Sequence, residues 1–341
     1  MNFEKEALHE AQFWKPAEEQ ELDCFLCGHR CHILDGRRGV CGIRVNKGGR
    51  LFTLVYGRVI AENVDPIEKK PLYHFLPGTR SYSIATPGCN FRCDFCQNWQ
   101  ISQVREHLER YPEVDPGQIV SGAVRTKCAS VAYTYTEPTI FMEYALDVAR
   151  LAQKEGIKNV FVTNGYQTAE AIDAMRGLID AANIDLKSFS ETFYRKTCKG
   201  KLQPVLDSIR KMHEVGIHIE VTTLVIPNLN DSDEELEQIA SFLADISTDI
   251  PWHISRFHPD YQATDIMPTP LSTLEKAFEI GQCAGLRFIY IGNVPADEHQ
   301  NTHCPKCGKT VIERSIMQVK AMHLKDGKCA YCGTELPLVI N

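Results

Sequence analysis

From about residue 80 the chain settles into a regular alternation of short apolar runs and longer amphipathic stretches. That is the pattern of repeated βα units feeding a parallel sheet. The apolar runs at residues 81–86, 130–135, 159–163, 183–187, 218–225, 252–257 and 287–291 read as strands. Between them, residues 140–155 place Ile140, Phe141, Tyr144, Val148 and Leu151 close to a helical period. Asp231-Ser232-Asp233-Glu234 gives a capped, acidic start to a helix reaching about residue 243, and residues 271–285 form another. Six or seven such units predict an α/β fold, a partial parallel barrel of the (β/α)6 type. Upstream, residues 1–75 show little periodicity beyond an apolar stretch at 51–56. The expected organisation is a Cys-rich N-terminal segment (1–75), a barrel core (76–298) and a small C-terminal module (299–341).

In such a barrel the C-terminal ends of the strands build the active site. This sequence concentrates polar, Gly and Pro residues there. They are Thr86-Pro87-Gly88-Cys89, Thr136-Glu137-Pro138, Thr163-Asn164-Gly165, Asp185-Leu186-Lys187, Pro227-Asn228 and Arg256-Phe257-His258-Pro259. The aromatics Tyr133, Tyr135, Phe257 and Tyr290 fall within predicted strands and are expected in the core or the barrel lining.

Composition narrows the function. The hydrophobic and charged fractions, 43% and 24%, are those of an ordinary globular protein. A net charge of −7 disfavours a broad nucleic-acid surface. No apolar run has transmembrane length, and the polar, acidic Met1-Asn2-Phe3-Glu4-Lys5-Glu6 is unlike a secretory signal. A cytoplasmic protein without membrane or nucleic-acid partners is expected. Fourteen cysteines in that setting argue for metal sites before disulfides. Eleven of the fourteen sit in three groups at ligand spacing, and only Cys128, Cys198 and Cys283 stand alone. Cys128 and Cys283 lie in apolar patterns and are expected to be packed. Cys198 lies between Lys196 and Lys199, which would lower its thiol pKa.

The most telling group is Cys89, Cys93 and Cys96, a C-x3-C-x2-C triplet directly after the first predicted strand. Three thiolates at this spacing hold three irons of a 4Fe-4S cubane and leave the fourth iron open to bind and reduce a ligand. Three ligands of a zinc site with a distant fourth are the alternative. At the other end, Cys304-Pro305-Lys306-Cys307 and Cys329-Ala330-Tyr331-Cys332 are knuckle-like pairs followed by Gly308 and Gly333. They suit a zinc ribbon, with rubredoxin-type iron as the alternative, and four thiolates leave no need for His303 or His323. Cys24, Cys27, Cys31 and Cys41 read either as a zinc staple for a core-poor segment or as an auxiliary iron–sulfur cluster.

The triplet, with the aromatic Phe95 before its last cysteine, resembles the radical SAM superfamily. The resemblance implies a 4Fe-4S cluster that reductively cleaves S-adenosylmethionine to a 5′-deoxyadenosyl radical, which abstracts hydrogen from a substrate. Tyr135-Thr136-Glu137-Pro138 resembles the Gly-Gly-Glu-Pro motif that holds the cofactor's amino group, which implies Thr136 and Glu137. A cap on the following helix is the other reading of Glu137. Thr163-Asn164-Gly165 and Asp185-Leu186-Lys187 resemble motifs of glycyl-radical-enzyme activases, with Val162 where those carry aspartate. They imply Asn164, Asp185 and Lys187 around the cofactor, with Lys187 against its carboxylate. His258 matches a histidine facing the adenosine side.

Over nearly its full length the chain looks like the radical SAM enzymes of the AmmeMemoRadiSam system. The resemblance rests on Cys24-Phe25-Leu26-Cys27-Gly28-His29-Arg30-Cys31, Gly39-Val40-Cys41-Gly42-Ile43-Arg44, Cys96-Gln97-Asn98-Trp99 and Tyr133-Thr134-Tyr135-Thr136-Glu137-Pro138. It implies AMMECR1-type and Memo-type companions, besides an electron donor such as flavodoxin or ferredoxin. A glycyl-radical-enzyme activase is the alternative within the class. An iron–sulfur or zinc electron carrier or scaffold without cofactor cleavage is the alternative outside it.

Overall fold

The computed structural model describes residues 8–295 and 298–340. Its centre is an eight-stranded sheet whose spatial order follows the chain. The strands are β1 (Ala61–Pro66), β2 (Arg80–Ala85), β3 (Ser130–Tyr133), β4 (Lys158–Thr163), β5 (Ala181–Asp185), β6 (His218–Val225), β7 (Trp252–Arg256) and β8 (Ile289–Gly292). All neighbouring pairs from β2 to β8 are parallel. β1 runs antiparallel to β2, with Ala61 opposite Ala85. Edges at β1 and β8 leave the sheet open, a partial barrel. The main sheet thus reaches back to residue 61, upstream of the expected start of the core.

The crossovers carry α1 (Pro116–Arg125), α2 (Met142–Lys154), α3 (Ala169–Met175), α4 (Gln203–Glu214), α5 (Asp233–Ile246) and α6 (Leu271–Cys283). Covered on both faces, parallel strands become continuous apolar runs, and β3 is buried at every residue. α1 starts at a capping box of Asp115 and Gln118 with Pro116 in its first turn. α5 starts on Ser232, whose hydroxyl accepts from the Glu235 N–H.

Two strands end two residues earlier than the sequence pattern predicts. β3 stops at Tyr133, because Tyr135 takes a left-handed φ of 62° and leaves the strand. β5 stops at Asp185, so Lys187 lies past the strand end. Cys283, expected to pack, is exposed at the last residue of α6. Cys128 is buried.

Before the main sheet come two small three-stranded antiparallel sheets. One joins His9–Glu10, Arg50–Thr53 and Arg44–Lys47, and the other joins Trp14–Pro16, Leu22–Cys24 and His32–Ile33. The apolar stretch at 51–56 is extended only as far as Thr53. A buried Arg44–Glu143 ion pair ties this region to α2.

The C-terminal strands Thr302–His303, Thr310–Arg314 and Val319–Met322 form a further antiparallel sheet. It is anchored by Arg314, which is fully buried. The Arg314 guanidinium donates to the Tyr73 carbonyl and to the Thr302 hydroxyl, both at 2.7 Å, and lies 4.3 Å from the Tyr73 ring. The Tyr73 and His74 N–H groups donate in turn to Glu220 of β6 at 3.0 and 2.7 Å. Glu220 also meets His253 of β7 at 2.6 Å and His218 at 3.2 Å. Among the described residues, no helix is long and apolar enough to cross a membrane.

Candidate active site

The strand ends open on a cavity of ≈ 550 Å³. Its lining includes Cys89, Cys93, Phe95 and Cys96 from the loop after β2, with Thr136 and Glu137 from the turn after β3. Asn164, Asp185 and Lys187 follow from the next two strand ends. The sequence-predicted residues of this set therefore converge.

His258 does not join them. It is exposed, and its Nε2 meets the Gln97 side-chain nitrogen at 3.0 Å. Phe257 beside it is fully buried. The ring from β7 that does border the cavity is His253.

Glu137 is buried, and its pKa is pushed up by that burial. One carboxylate oxygen accepts from the Thr139 N–H (3.0 Å), the Thr139 hydroxyl (2.5 Å) and the Thr163 hydroxyl (2.7 Å). The other accepts from the Asn164 N–H at 2.8 Å. Glu137 therefore caps the short helix Pro138–Phe141 and also lines the cavity. Thr136 is held by its hydroxyl on the Thr86 carbonyl at 2.8 Å. Asn164 reaches the cysteine loop, donating to Asn90 Oδ1 at 2.7 Å and facing Cys89 Sγ at 3.8 Å.

Lys187 pairs with Asp185 at 2.8 Å, and its Nζ lies 5.8 Å from the Phe95 ring centre. Burial opposes its charge. Asp185, with Cys93 and Cys198 nearby, outweighs this and holds the ammonium well above the ordinary lysine pKa. A fixed cation thus stands beside the triplet. Burial and the Glu137 charge push the Cys89 thiol well up, and burial raises Cys96. Iron must displace those protons on binding. Three cavity-lining thiols with a carboxylate and an ammonium alongside fit a cluster with one open iron and a zwitterionic amino-acid ligand on it.

Sequence reasoning missed several residues. Cys198 is buried, and its thiol hydrogen-bonds Cys93, which lowers the Cys93 pKa and contributes, after burial, to raising that of Cys198. Its flanking lysines do not activate it. The segment is held against the cysteine loop by Arg92 N–H to the Cys198 carbonyl (3.1 Å) and Asp94 N–H to the Thr197 carbonyl (3.2 Å). Lys70, from the aperiodic region, also lines the cavity. Its Nζ donates to Asp65 at 2.6 Å and lies 4.5 Å from the Tyr135 ring centre, and burial lowers its pKa to about 8. Ile316 and Met317 reach the same cavity from the C-terminal module. Only their position in the fold brings them there.

The four C-terminal cysteines converge separately. Among the described residues, their sulfurs form the group of metal-ligating atoms that all lie within 4.8 Å of one another. Cys304 and Cys332 are 3.6 Å apart, and Cys307 and Cys329 3.7 Å. A tetrahedral ion with metal–sulfur bonds of about 2.3 Å has sulfurs about 3.8 Å apart, so the group fits a single metal ion. His323 is paired with Glu313 at 2.9 Å and His303 faces Thr310 at 3.3 Å, outside the group.

Residues 83–243 match the sequence profile of the Radical SAM superfamily. An uncharacterized protein of Methanocaldococcus jannaschii is 43% identical over 98% of this chain and 100% of its own length. The pyruvate formate-lyase-activating enzyme of Clostridium pasteurianum is 23% identical over 56% of this chain and 84% of its own. A radical SAM methyltransferase from Sphaerobacter thermophilus shares the fold. Its TM-score is 0.52 at 14% identity, covering 69% of this chain and 71% of that one.

Proposed function

The chain belongs to the radical SAM superfamily, and on that premise we propose that it cleaves S-adenosylmethionine reductively to draw hydrogen from a further substrate. The convergence of Cys89, Cys93 and Cys96 with Glu137, Asn164 and Lys187 on one cavity carries this reading. When bound at the triplet, a 4Fe-4S cluster supplies the electron that turns the cofactor into methionine and a 5′-deoxyadenosyl radical. The protein's part is to bind and orient. Lys187 is placed for the cofactor's carboxylate. The turn Thr134–Glu137, through its backbone oxygens and the Glu137 carboxylate, is placed for the ammonium. Thr163, Asn164 and Thr139 keep that carboxylate fixed.

The subfamily reading goes with it: an AmmeMemoRadiSam-type enzyme of the cytoplasm, reduced by a flavodoxin or ferredoxin, with AMMECR1-type and Memo-type companions. The substrate then enters the same cavity, whose lining includes Ile316 and Met317. The sulfur spacing of the C-terminal cysteines suits one closed tetrahedral ion; we assign zinc, with rubredoxin-type iron as the alternative that the same four thiolates accept. Likeness to a pyruvate formate-lyase-activating enzyme favours a polypeptide substrate as the second reading.

The reading is tested by adding S-adenosylmethionine to the anaerobically reconstituted, reduced protein and recording its EPR spectrum. A cofactor that chelates the open iron changes the cluster signal, and Lys187→Ala should raise the concentration needed at least tenfold. An unchanged signal at saturating cofactor contradicts it.

A further inference from the structure

The N-terminal cysteines remain. Cys24, Cys27, Cys31 and Cys41 are buried or half-buried and unpaired by disulfides. Each sulfur faces an N–H donor. Arg44 Nη1 donates to Cys24 at 3.6 Å and the Val40 N–H to Cys31 at 3.5 Å. Cys27 faces the His29 N–H, and Cys41 those of Ile43 and Arg44. The same arrangement, an N–H two residues on turned toward the sulfur, recurs at Cys89 with Phe91, Cys307 with Lys309 and Cys332 with Thr334. Donors aimed at buried sulfurs suit thiolates that hold metal.

Size separates one ion from a cluster. Among the described residues the C-terminal sulfurs all lie within 4.8 Å of one another, near the spacing of about 3.8 Å around one tetrahedral ion, and the N-terminal four do not. Among the described residues the catalytic triplet does not form such a group either, and sulfurs that bind different irons of one cluster need not. The N-terminal cysteines are nevertheless neighbours: the Cys24 N–H donates to the Cys31 carbonyl at 2.8 Å, and the N–H of Val40, next to Cys41, donates to Cys31 Sγ at 3.5 Å. Arg44, whose charge is paired with Glu143, still turns one guanidinium N–H to Cys24, a donor that suits a thiolate.

We propose that Cys24, Cys27, Cys31 and Cys41 hold a second iron–sulfur cluster, of cubane size, packed against the loop of the first. Two contacts place it there. His29 Nε2 meets the Asn90 carbonyl at 2.8 Å, and Arg105 donates both to the Cys41 carbonyl (3.1 Å) and to the Cys89 carbonyl (3.3 Å). With four protein ligands this cluster has no open iron, so it binds no S-adenosylmethionine. Its role is to accept one electron at a time from a low-potential flavodoxin or ferredoxin and pass it to the catalytic cluster. That destination rests on the function proposed above, whereas the existence of the site does not.

The test is metal and acid-labile sulfide content of the full chain, reconstituted anaerobically. Wild-type protein should carry two cubanes' worth of sulfide. The triple variant Cys89→Ala, Cys93→Ala, Cys96→Ala should keep half, with an EPR signal in the reduced state that added S-adenosylmethionine leaves unchanged. Cys24→Ala with Cys41→Ala in otherwise wild-type protein should likewise lose half, which keeps the test decisive if the triple variant does not fold. One cubane's worth of sulfide in wild-type protein, with zinc bound at the N-terminal cysteines, overturns the proposal. Two cubanes without any 5′-deoxyadenosine would leave this site standing and sink the proposed function.

Discussion

At the scale of single residues, the site depends on side chains whose roles differ in how openly the sequence declares them. Glu137 stands out in sequence as a carboxylate between a predicted strand and Pro138. Its four hydrogen bonds make it rigid. Glu137→Gln turns an N–H group toward donors that need an acceptor, a cost of about 1–3 kcal/mol. It should lower both the urea midpoint and the yield of 5′-deoxyadenosine. Cys198 is the opposite case. Nothing local in Lys196-Thr197-Cys198-Lys199 announces that the thiol meets Cys93 from across the chain. Cys198→Ala removes a hydrogen bond to Cys93, a ligand of the proposed cluster, and such bonds raise cluster potentials. The midpoint potential of the catalytic cluster should therefore fall in an EPR-monitored titration, with iron content unchanged.

At the scale of elements, the parallel strands were legible because burial on both faces leaves continuous apolar runs. Short N-terminal strands such as Leu22–Cys24 and His32–Ile33 carry no such signal. Neither does β1, an edge strand of mixed character that pairs only with β2. The end of β3 was misplaced because its last turn is set by tertiary contacts. Tyr135 holds a left-handed backbone that disfavours a side chain by about 1–2 kcal/mol. The Asp65 carboxylate that accepts its hydroxyl, and the Lys70 ammonium over its ring, offset that strain. Tyr135→Phe keeps the strain and loses the hydrogen bond. A loss of about 1–2 kcal/mol in urea unfolding is expected, because Asp65 retains both lysines.

At the scale of the whole molecule, the C-terminal module and the barrel share one buried polar network that no pattern of hydrophobic residues displays. Arg314, Tyr73, Glu220, His253 and His74 come from distant parts of the chain. Glu220 is fully buried. Burial opposes its charge, yet the His218 and His253 hydrogen bonds hold its pKa well below the usual carboxylate value. Its stabilisation is complete above pH 4.5, the unfolded value, and is lost as pH falls through the folded one. His74 adds to this with the same sign. Burial lowers it to about 3, so the unfolded chain takes up its proton first, from about pH 6.5 downward. The urea midpoint should decline as pH falls below about 6.5. Glu220→Gln should flatten the acid limb while costing about 3–5 kcal/mol at neutral pH, the range for a broken buried pair.

The account as a whole rests on the cavity at the strand ends being a place where S-adenosylmethionine is cleaved. The direct measurement is 5′-deoxyadenosine formed by the reconstituted, dithionite-reduced chain, beside a Cys96→Ala variant. Formation by wild type, abolished in the variant, is the predicted result. No 5′-deoxyadenosine from wild-type protein whose catalytic cluster is fully assembled would contradict it.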